Sequence, residues 1–531
     1  MSGSSVPERA DGFDCGLRKE PVAAELDKTR HPLETMTERA LAREAMRPAI
    51  DFEERWITWG EMRTVAERMN SLIEASGAPQ RTTVALLSRN RPSAVAALLG
   101  LIAKGYTVRM IYAFQSAAAK ARDIERSKPV VVVAERHEFC DELCAAMHTL
   151  GIAGVAIEDM NASAVVGLER GSSAQGIETS EHPQIEILTS GTTGPPKTFA
   201  VSYDLIAKHH VGVQLLSDGA TTDALELTPL LLFFPLGNIS GIYSTIPTML
   251  RGQRAVLLDR FSVEAWHRHV LRYRPRASGL PPAGVQMVLD ANIPREDLAS
   301  IRTLSTGAAP LDPTVQRSFE ERYGIPILLS YGATEFGGPV AAMTADLHAQ
   351  WGNAKLGSVG RAMPGAQLRV VDPATGEVLP SNSEGILEVI SPRIGAQWIR
   401  TSDVALIDAD GFLFHRGRAD GAIMRGGFKV LPETIERALM LHAAISAAAV
   451  VGIDDRRLGQ VPAAAIQLKP DVESLPIAEI ETHLRTHVPA THIPAAWRIV
   501  SDLPKNASMK IDRPAVRRLF EGDAGAQGRQ A

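Results

Sequence analysis

Apolar and polar positions change period along this chain, and the changes mark out its elements. Thr58 and Glu61 have capping-box spacing, and Met62, Val65, Met69, Leu72 and Ile73 follow at helical intervals up to Gly77. That predicts a helix with one buried face. Thr83 to Leu87 and Val130 to Ala134 are short, unbroken apolar runs bounded by polar residues, as expected of strands buried on both faces. Between them, Pro92 to Ala103 reads as a second helix that stops near Gly105. Strands alternating with helices imply a mostly parallel sheet with helices on both faces.

Near residue 365 the pattern shifts to short strands joined by turns: Leu368 to Asp372, Gly385 to Ile390 and Gly411 to His415, with Asp372-Pro-Ala-Thr-Gly376 as one turn. This predicts a small β-rich subdomain. After Arg418 a compact α+β unit follows. Its predicted elements are helix Pro432 to His442, strands Ala448 to Ile453 and Ala463 to Leu468, helix Ile477 to Thr486, and strand Ala496 to Val500. The predicted fold class is α/β, with a large N-terminal domain of mostly parallel sheets over residues 36–419 and a small C-terminal domain over 420–520. Residues 1–35 and 521–531 are polar and expected to be loose tails. At 531 residues the chain is too long for a single core.

Composition adds exclusions more than assignments. An apolar content of 45 % with 22 % charged residues is ordinary for a soluble globular protein. A formal net charge of −5 gives no basic footprint for nucleic acid. The longest apolar stretch, Leu225 to Ile246, is broken by Glu226, Pro229, Pro235, Gly237 and Asn238. It is expected to be a buried strand and a lined loop instead of a membrane span. Three cysteines and no N-terminal signal pattern point to a reducing cytoplasm. His137, Cys140 and Cys144 could share one helix face as metal ligands, although buried cysteine on an amphipathic helix explains them more simply.

The densest chemistry lies in Ile187-Leu-Thr-Ser-Gly-Thr-Thr-Gly-Pro-Pro-Lys-Thr198. There an apolar strand gives way to Ser190, Gly191, Thr192, Thr193, Gly194 and Lys197. Such a loop lets backbone N–H groups and short hydroxyls approach a polyphosphate, with a lysine charge at its end. It is not a Walker A loop, because Pro196 precedes the lysine. Downstream come Ser305-Thr-Gly307-Ala308-Ala309-Pro-Leu311, Ser330-Tyr331-Gly332-Ala-Thr334-Glu335, Thr401-Ser-Asp403, Gly411 through Arg418 and Asp420, and Leu503-Pro-Lys-Asn-Ala-Ser-Met-Lys510-Ile-Asp-Arg513.

Taken in this order, these segments resemble the motifs of the adenylate-forming superfamily of acyl-CoA synthetases, luciferases and peptide-synthetase adenylation domains. The resemblance implies that Ser190 to Gly194 and Lys197 hold ATP phosphates and that Gly307, Ala308, Ala309, Tyr331 and Gly332 line the adenine site. It gives Thr334 a bond to the α-phosphate or the substrate carboxylate, and Glu335 a Mg²⁺ ion. It assigns Asp403 to the ribose hydroxyls, Arg418 to the ribose-phosphate region and Asp420 to the hinge of a mobile C-terminal domain. Lys510 would act catalytically in adenylation together with Thr334 and Glu335, and Gly426, Gly427 and Lys429 would line a coenzyme A tunnel. ATP, Mg²⁺ and coenzyme A are the implied cofactor and co-substrates.

The chain departs from the pattern at several points. Thr198 and Met509 stand where glycine is frequent, and Gly421 where a second aspartate is common. Pro235-Leu-Gly237-Asn238-Ile-Ser-Gly241 has Gly237 and Asn238 at the aromatic and histidine positions. With Gly307 and Gly337 they are the expected acyl-pocket residues, and the lost bulk favours a bulky or long apolar acid. The expected reaction is ATP-dependent ligation of a carboxylic acid to coenzyme A, with a separate carrier protein as the alternative acceptor. A luciferase-like oxygenase is a third reading within the superfamily. A serine hydrolase lacks its G-x-S-x-G elbow here, and Lys510 argues against a non-catalytic nucleotide-binding module.

Overall fold

The computed structural model describes residues 30–171, 179–189, 197–211, 228–419, 421–425, 428–455, 458–506 and 509–521. Its largest sheet has seven strands in the order Asn161–Ala164, Ala153–Glu158, Val131–Glu135, Thr83–Ser88, Thr107–Tyr112, Gln184–Thr189 and Lys197–Ser202. The inner pairings are parallel and the two outer strands run antiparallel. Successive side chains feed two separate cores, since Val84, Leu86, Val131 and Val133 pack on one face while Ala85, Leu87, Val132 and Ala134 pack on the other. A strand sealed on both faces must be apolar throughout, which is why these runs read as continuous. Helix Trp59–Ala75 has the predicted capping box and buries Met62, Val65, Met69 and Ile73. Helix Pro92–Ala103 is buried along its whole length.

A second sheet has five strands. Ala277–Gly279, Thr303–Thr306 and Ile327–Ala333 run parallel, followed by antiparallel Gly338–Ala342 and Arg361–Ala362. A smaller sheet joins Leu230–Leu232, Ala255–Leu257, Pro48–Phe52 and Arg55–Thr58. The β-rich segment is a four-stranded antiparallel sheet of Gln367–Val371, Glu384–Ile390, Ile399–Ile407 and Leu413–Arg418. The C-terminal sheet is built from Ile423–Arg425, Phe428–Val430, Ile445–Asp455, Gly459–Leu468 and Ala496–Val500, with helices Pro432–Met440 and Ile477–Arg485 packed on it.

Three expectations change, and one strand was missed. Helix Pro32–Leu41, with Leu33 fully buried, falls partly inside the stretch read as a loose tail. His137 lies in a short 3₁₀ turn, and helix Asp141–Leu150 starts only after Cys140, so the three residues do not share one helix. Cys140 and Cys144 pack against the apolar cluster of Leu143 and Met147 instead, and no metal-holding group occurs among the described residues. After Leu230–Leu232, whose Leu230 is exposed, the expected lined loop becomes helix Ile239–Arg251, with Pro247 inside it. Strand Ile399–Ile407 was not legible because Arg400, Thr401, Ser402 and Asp403 look like a polar loop, yet all four lie in the ladder, with Arg400 exposed and the other three half-buried.

Candidate active site

The site gathers where strands Thr303–Thr306 and Ile327–Ala333 end, since they run side by side with Thr306 opposite Leu329. Carboxyl ends of parallel strands form crevices suited to ligands. Gly307 follows one strand and lies so close to the other that a Cβ would sit 2.5 Å from the Ser330 hydroxyl. Ala308 adopts φ +68°, an uncommon conformation for alanine. Gly332 has no room for a side chain either, because a Cβ would come within 2.5 Å of the Gly338 carbonyl and the Pro339 backbone. These small residues bring bare main chain to the crevice wall. Thr334, Glu335 and Phe336 then form a 3₁₀ turn in which Phe336 is buried and Glu335 is exposed.

Strand Ile399–Ile407 carries Asp403 opposite Arg418, its ladder partner on Leu413–Arg418. The Tyr331 hydroxyl donates to one Asp403 oxygen. His415 Nε2 lies 3.4 Å from the other, and the His415 ring stacks on Tyr331 at 6.0 Å. Burial pushes the Asp403 carboxyl upward, but His415, the Tyr331 hydroxyl and the Arg418 charge outweigh it and hold the group below the usual carboxylate range. The Tyr331 phenol is raised, by burial first and then by the Asp403 charge. Arg418 donates to the Ser402 hydroxyl at 2.6 Å. His415 is the residue missed from sequence. It lies in the Gly411–Arg418 segment, and a register shift between Val404 and Ala405 brings it to Asp403.

Lys510 arrives from the C-terminal part on a tight turn. Asn506 receives the Lys510 amide on its side chain at 3.1 Å and donates its own amide to the Lys510 carbonyl at 2.8 Å. Met509 takes φ +60°, which accounts for the glycine common at this position. Its side chain packs on the core of the five-stranded sheet. Arg513 fastens the turn from behind, bonding Glu433, Glu436 and the Val450 carbonyl at 2.6–3.2 Å. The Lys510 side chain is open to solvent at the crevice mouth, yet its ammonium is crowded by protein. Burial and then the Arg418 charge lower its pKa, while Glu335 opposes them. Lys510, Arg418, Glu335, Tyr331 and Asp403 therefore form one cluster.

Asn90 pins the loop before helix Ile239–Arg251. It bonds the Phe234 and Leu258 carbonyls at 3.0 and 3.1 Å and accepts the Leu236 amide at 2.8 Å. Gly241 is required there, since a Cβ would fall 2.1 Å from the Pro235 carbonyl oxygen. Gly237 is different. Among the described residues its Cβ would meet nothing nearer than Met110 at 3.9 Å, an ordinary contact distance, so a side chain is not excluded there. Asn238 is the N-cap of the helix without a side-chain capping bond. Gly337 at φ +68° abuts Leu205 and Arg393, and Gly338 faces Tyr243.

Ser190, Gly191, Thr192, Thr193, Gly194, Asp420, Gly426 and Gly427 lie outside the described residues, as do the side chains of Lys197 and Lys429. Lys197 begins the outer strand of the seven-stranded sheet, paired with Thr189.

The AMP-binding enzyme family matches residues 37–396, and its C-terminal domain matches 434–510. The chain belongs to that family. Among its relatives, the indoleacetate–CoA ligase of Aromatoleum aromaticum is 28 % identical over 496 residues, covering 89 % of this chain and 94 % of the relative. The o-succinylbenzoate CoA synthetase of Bacillus subtilis, solved with its acyl-adenylate intermediate, superimposes with a TM-score of 0.72 at 22 % identity, covering 92 % and 98 % of the two chains. ATP-bound MatB from Rhodopseudomonas palustris gives a TM-score of 0.76 at 21 % identity, covering 92 % and 99 %. These two likenesses show that the chain shares their fold.

Proposed function

We propose that this chain, an AMP-forming acid–CoA ligase, activates a bulky, largely apolar carboxylic acid as its acyl-adenylate and passes the acyl group to the coenzyme A thiol. In the first half-reaction a carboxylate oxygen bonds to the α-phosphorus of ATP and pyrophosphate leaves. In the second, the thiol attacks the acyl carbon and AMP leaves. The observation that carries the reading is the convergence of Lys510, Arg418, Glu335 and Asp403 on one crevice end. Lys510 would neutralise charge developing as the two anions meet, Thr334 would orient the α-phosphate or carboxylate, and Asp403 would take the ribose hydroxyls.

Glu335 offers one exposed carboxylate oxygen pair beside the Lys510 ammonium. That fits Mg²⁺, a hard cation commonly held by one or two carboxylates plus phosphate oxygens. When bound, the ion would offset charge on the leaving pyrophosphate.

Bulk in the acid is supported by Gly237, where a Cβ would touch only Met110 among the described residues. Gly237→Phe is expected to exclude bulky acids by overpacking while sparing acetate or propionate. ATP–pyrophosphate exchange across a panel of acids checks this, and equal loss for all acids would count against a pocket wall at Gly237. Relatives named for indoleacetate and 2-succinylbenzoate favour coenzyme A as the acceptor over a carrier protein. Mixing the chain with ATP, an acid panel and coenzyme A tests the whole reading. AMP release that requires both acid and thiol is expected, and none with any acid would overturn it.

The same chemistry calls for the C-terminal part to swing about Asp420 between half-reactions, with 36–419 and 420–520 as the moving units. Limited proteolysis should nick near residue 420 and leave two stable fragments. Protection equal to that of the seven-stranded sheet would place the boundary elsewhere.

A further inference from the structure

Arg393 follows strand Glu384–Ile390 and extends along Gly337, where a Cβ would touch its Cβ and Cδ at 3.3 and 3.5 Å. Its guanidinium donates one bond to the Pro339 carbonyl at 2.6 Å and lies 3.9 Å from the position a Gly338 Cβ would occupy. Burial lowers its pKa, and the Tyr243 phenol is the only group opposing that shift. No carboxylate pairs with Arg393 among the described residues. A partly desolvated guanidinium without a counter-ion is costly, and an arginine fork is suited to bidentate recognition of an oxyanion.

Two polar side chains lie near the same pair of glycines as Arg393. His210 is fully buried, and its Nε2 lies 3.0 Å from the Gly337 carbonyl. A carbonyl only accepts, so Nε2 carries the proton and Nδ1 is bare. That Nδ1 has no hydrogen-bond partner among the described residues, and being an acceptor it is suited to a water or another donor and not to an anion. The Tyr243 ring meets His210 edge-on at 4.8 Å and faces Gly338. Thus a guanidinium with no carboxylate partner among the described residues and a phenol ring lie against two glycines, three and four residues beyond Thr334.

We propose that Arg393, with the Tyr243 hydroxyl, binds a second anionic group carried by the acid, so that the preferred substrates are diacids with an apolar body and a remote carboxylate. The inference rests on the ligase reading for its reacting carboxylate, but the subsite can be tested by binding alone. Terephthalate, 4-carboxyphenylacetate and 4-carboxycinnamate, each paired with the monoester that caps the remote carboxylate, would be titrated calorimetrically into the full chain holding a non-hydrolysable ATP analogue. At least one diacid is expected to bind about 10–100-fold more tightly than its monoester, the range of a charge-assisted pair. R393M should bring that ratio close to one, and R393K, which keeps the charge but loses the fork, should retain part of it.

Affinity for the ATP analogue, measured on each variant, reports whether the nucleotide site is intact. A wild-type chain with no preference for any diacid overturns the proposal, as does a preference that survives R393M. AMP release measured on the same acids is a separate readout. Its absence with every acid would overturn the ligase reading, while the binding ratio would still decide the subsite.

Discussion

Lys510→Ala is expected to slow acyl-adenylate formation by about 10²–10³-fold, the usual effect of removing one positioned group that stabilises transition-state charge. Thioester formation from supplied acyl-adenylate should stay within a few-fold of wild type. The asymmetry follows from the position of Lys510. Its turn is docked through Met509 on the five-stranded sheet and braced by Arg513, so in the proposed reaction its charge would serve the arrangement in which the acyl-phosphate anhydride forms. Pyrophosphate exchange and single-turnover thiol transfer separate the two steps, and equal loss in both would mean the lysine is structural. The pH dependence carries a sign as well. Burial and Arg418 lower the Lys510 pKa, so the useful ammonium is lost as pH rises. The adenylation rate should therefore fall on the alkaline side at a pH below the usual lysine value, and Lys510→Arg should move that limb upward or abolish it.

Much of this site was legible because its chemistry constrains short runs of sequence. Thr334-Glu335 and Lys510 are fixed by what lies beside them: a strand end on one side, and a turn closed by Asn506 and held by Arg513 on the other. The doubly covered sheet was legible for a different reason, since strands with no exposed face cannot carry polar residues. What sequence failed to yield depends on register and on distant partners. His415 reaches Asp403 only through a ladder shift, and Asn90 reaches the Phe234–Leu236 loop across more than 140 residues of chain. Arg393 looks like an ordinary loop arginine until it is seen lying along Gly337 and bonding the Pro339 carbonyl. The helix at Ile239 was hidden by the glycine, asparagine and proline around it, which serve the loop and cap and did not prevent the helix.

Asp403→Ala should raise the ATP KM steeply and lower kcat/KM for ATP by about 10–100-fold, since charge-assisted hydrogen bonds contribute about 1.5–3 kcal/mol. The loss has two parts. The ribose hydroxyls lose a charged acceptor, and Tyr331 and His415 lose the carboxylate that positions them at the crevice wall. Asp403→Asn separates the parts, because the amide keeps an acceptor for one neighbour but removes the charge. It should fall between wild type and the alanine variant. The acid limb has a defined direction: His415, Tyr331 and Arg418 hold the Asp403 carboxyl below its ordinary value. ATP affinity should consequently survive as pH falls through the ordinary aspartate range and fail only below it. A KM for ATP that is unchanged in Asp403→Ala would remove this residue from the nucleotide site, and with it the ribose end of the proposed geometry.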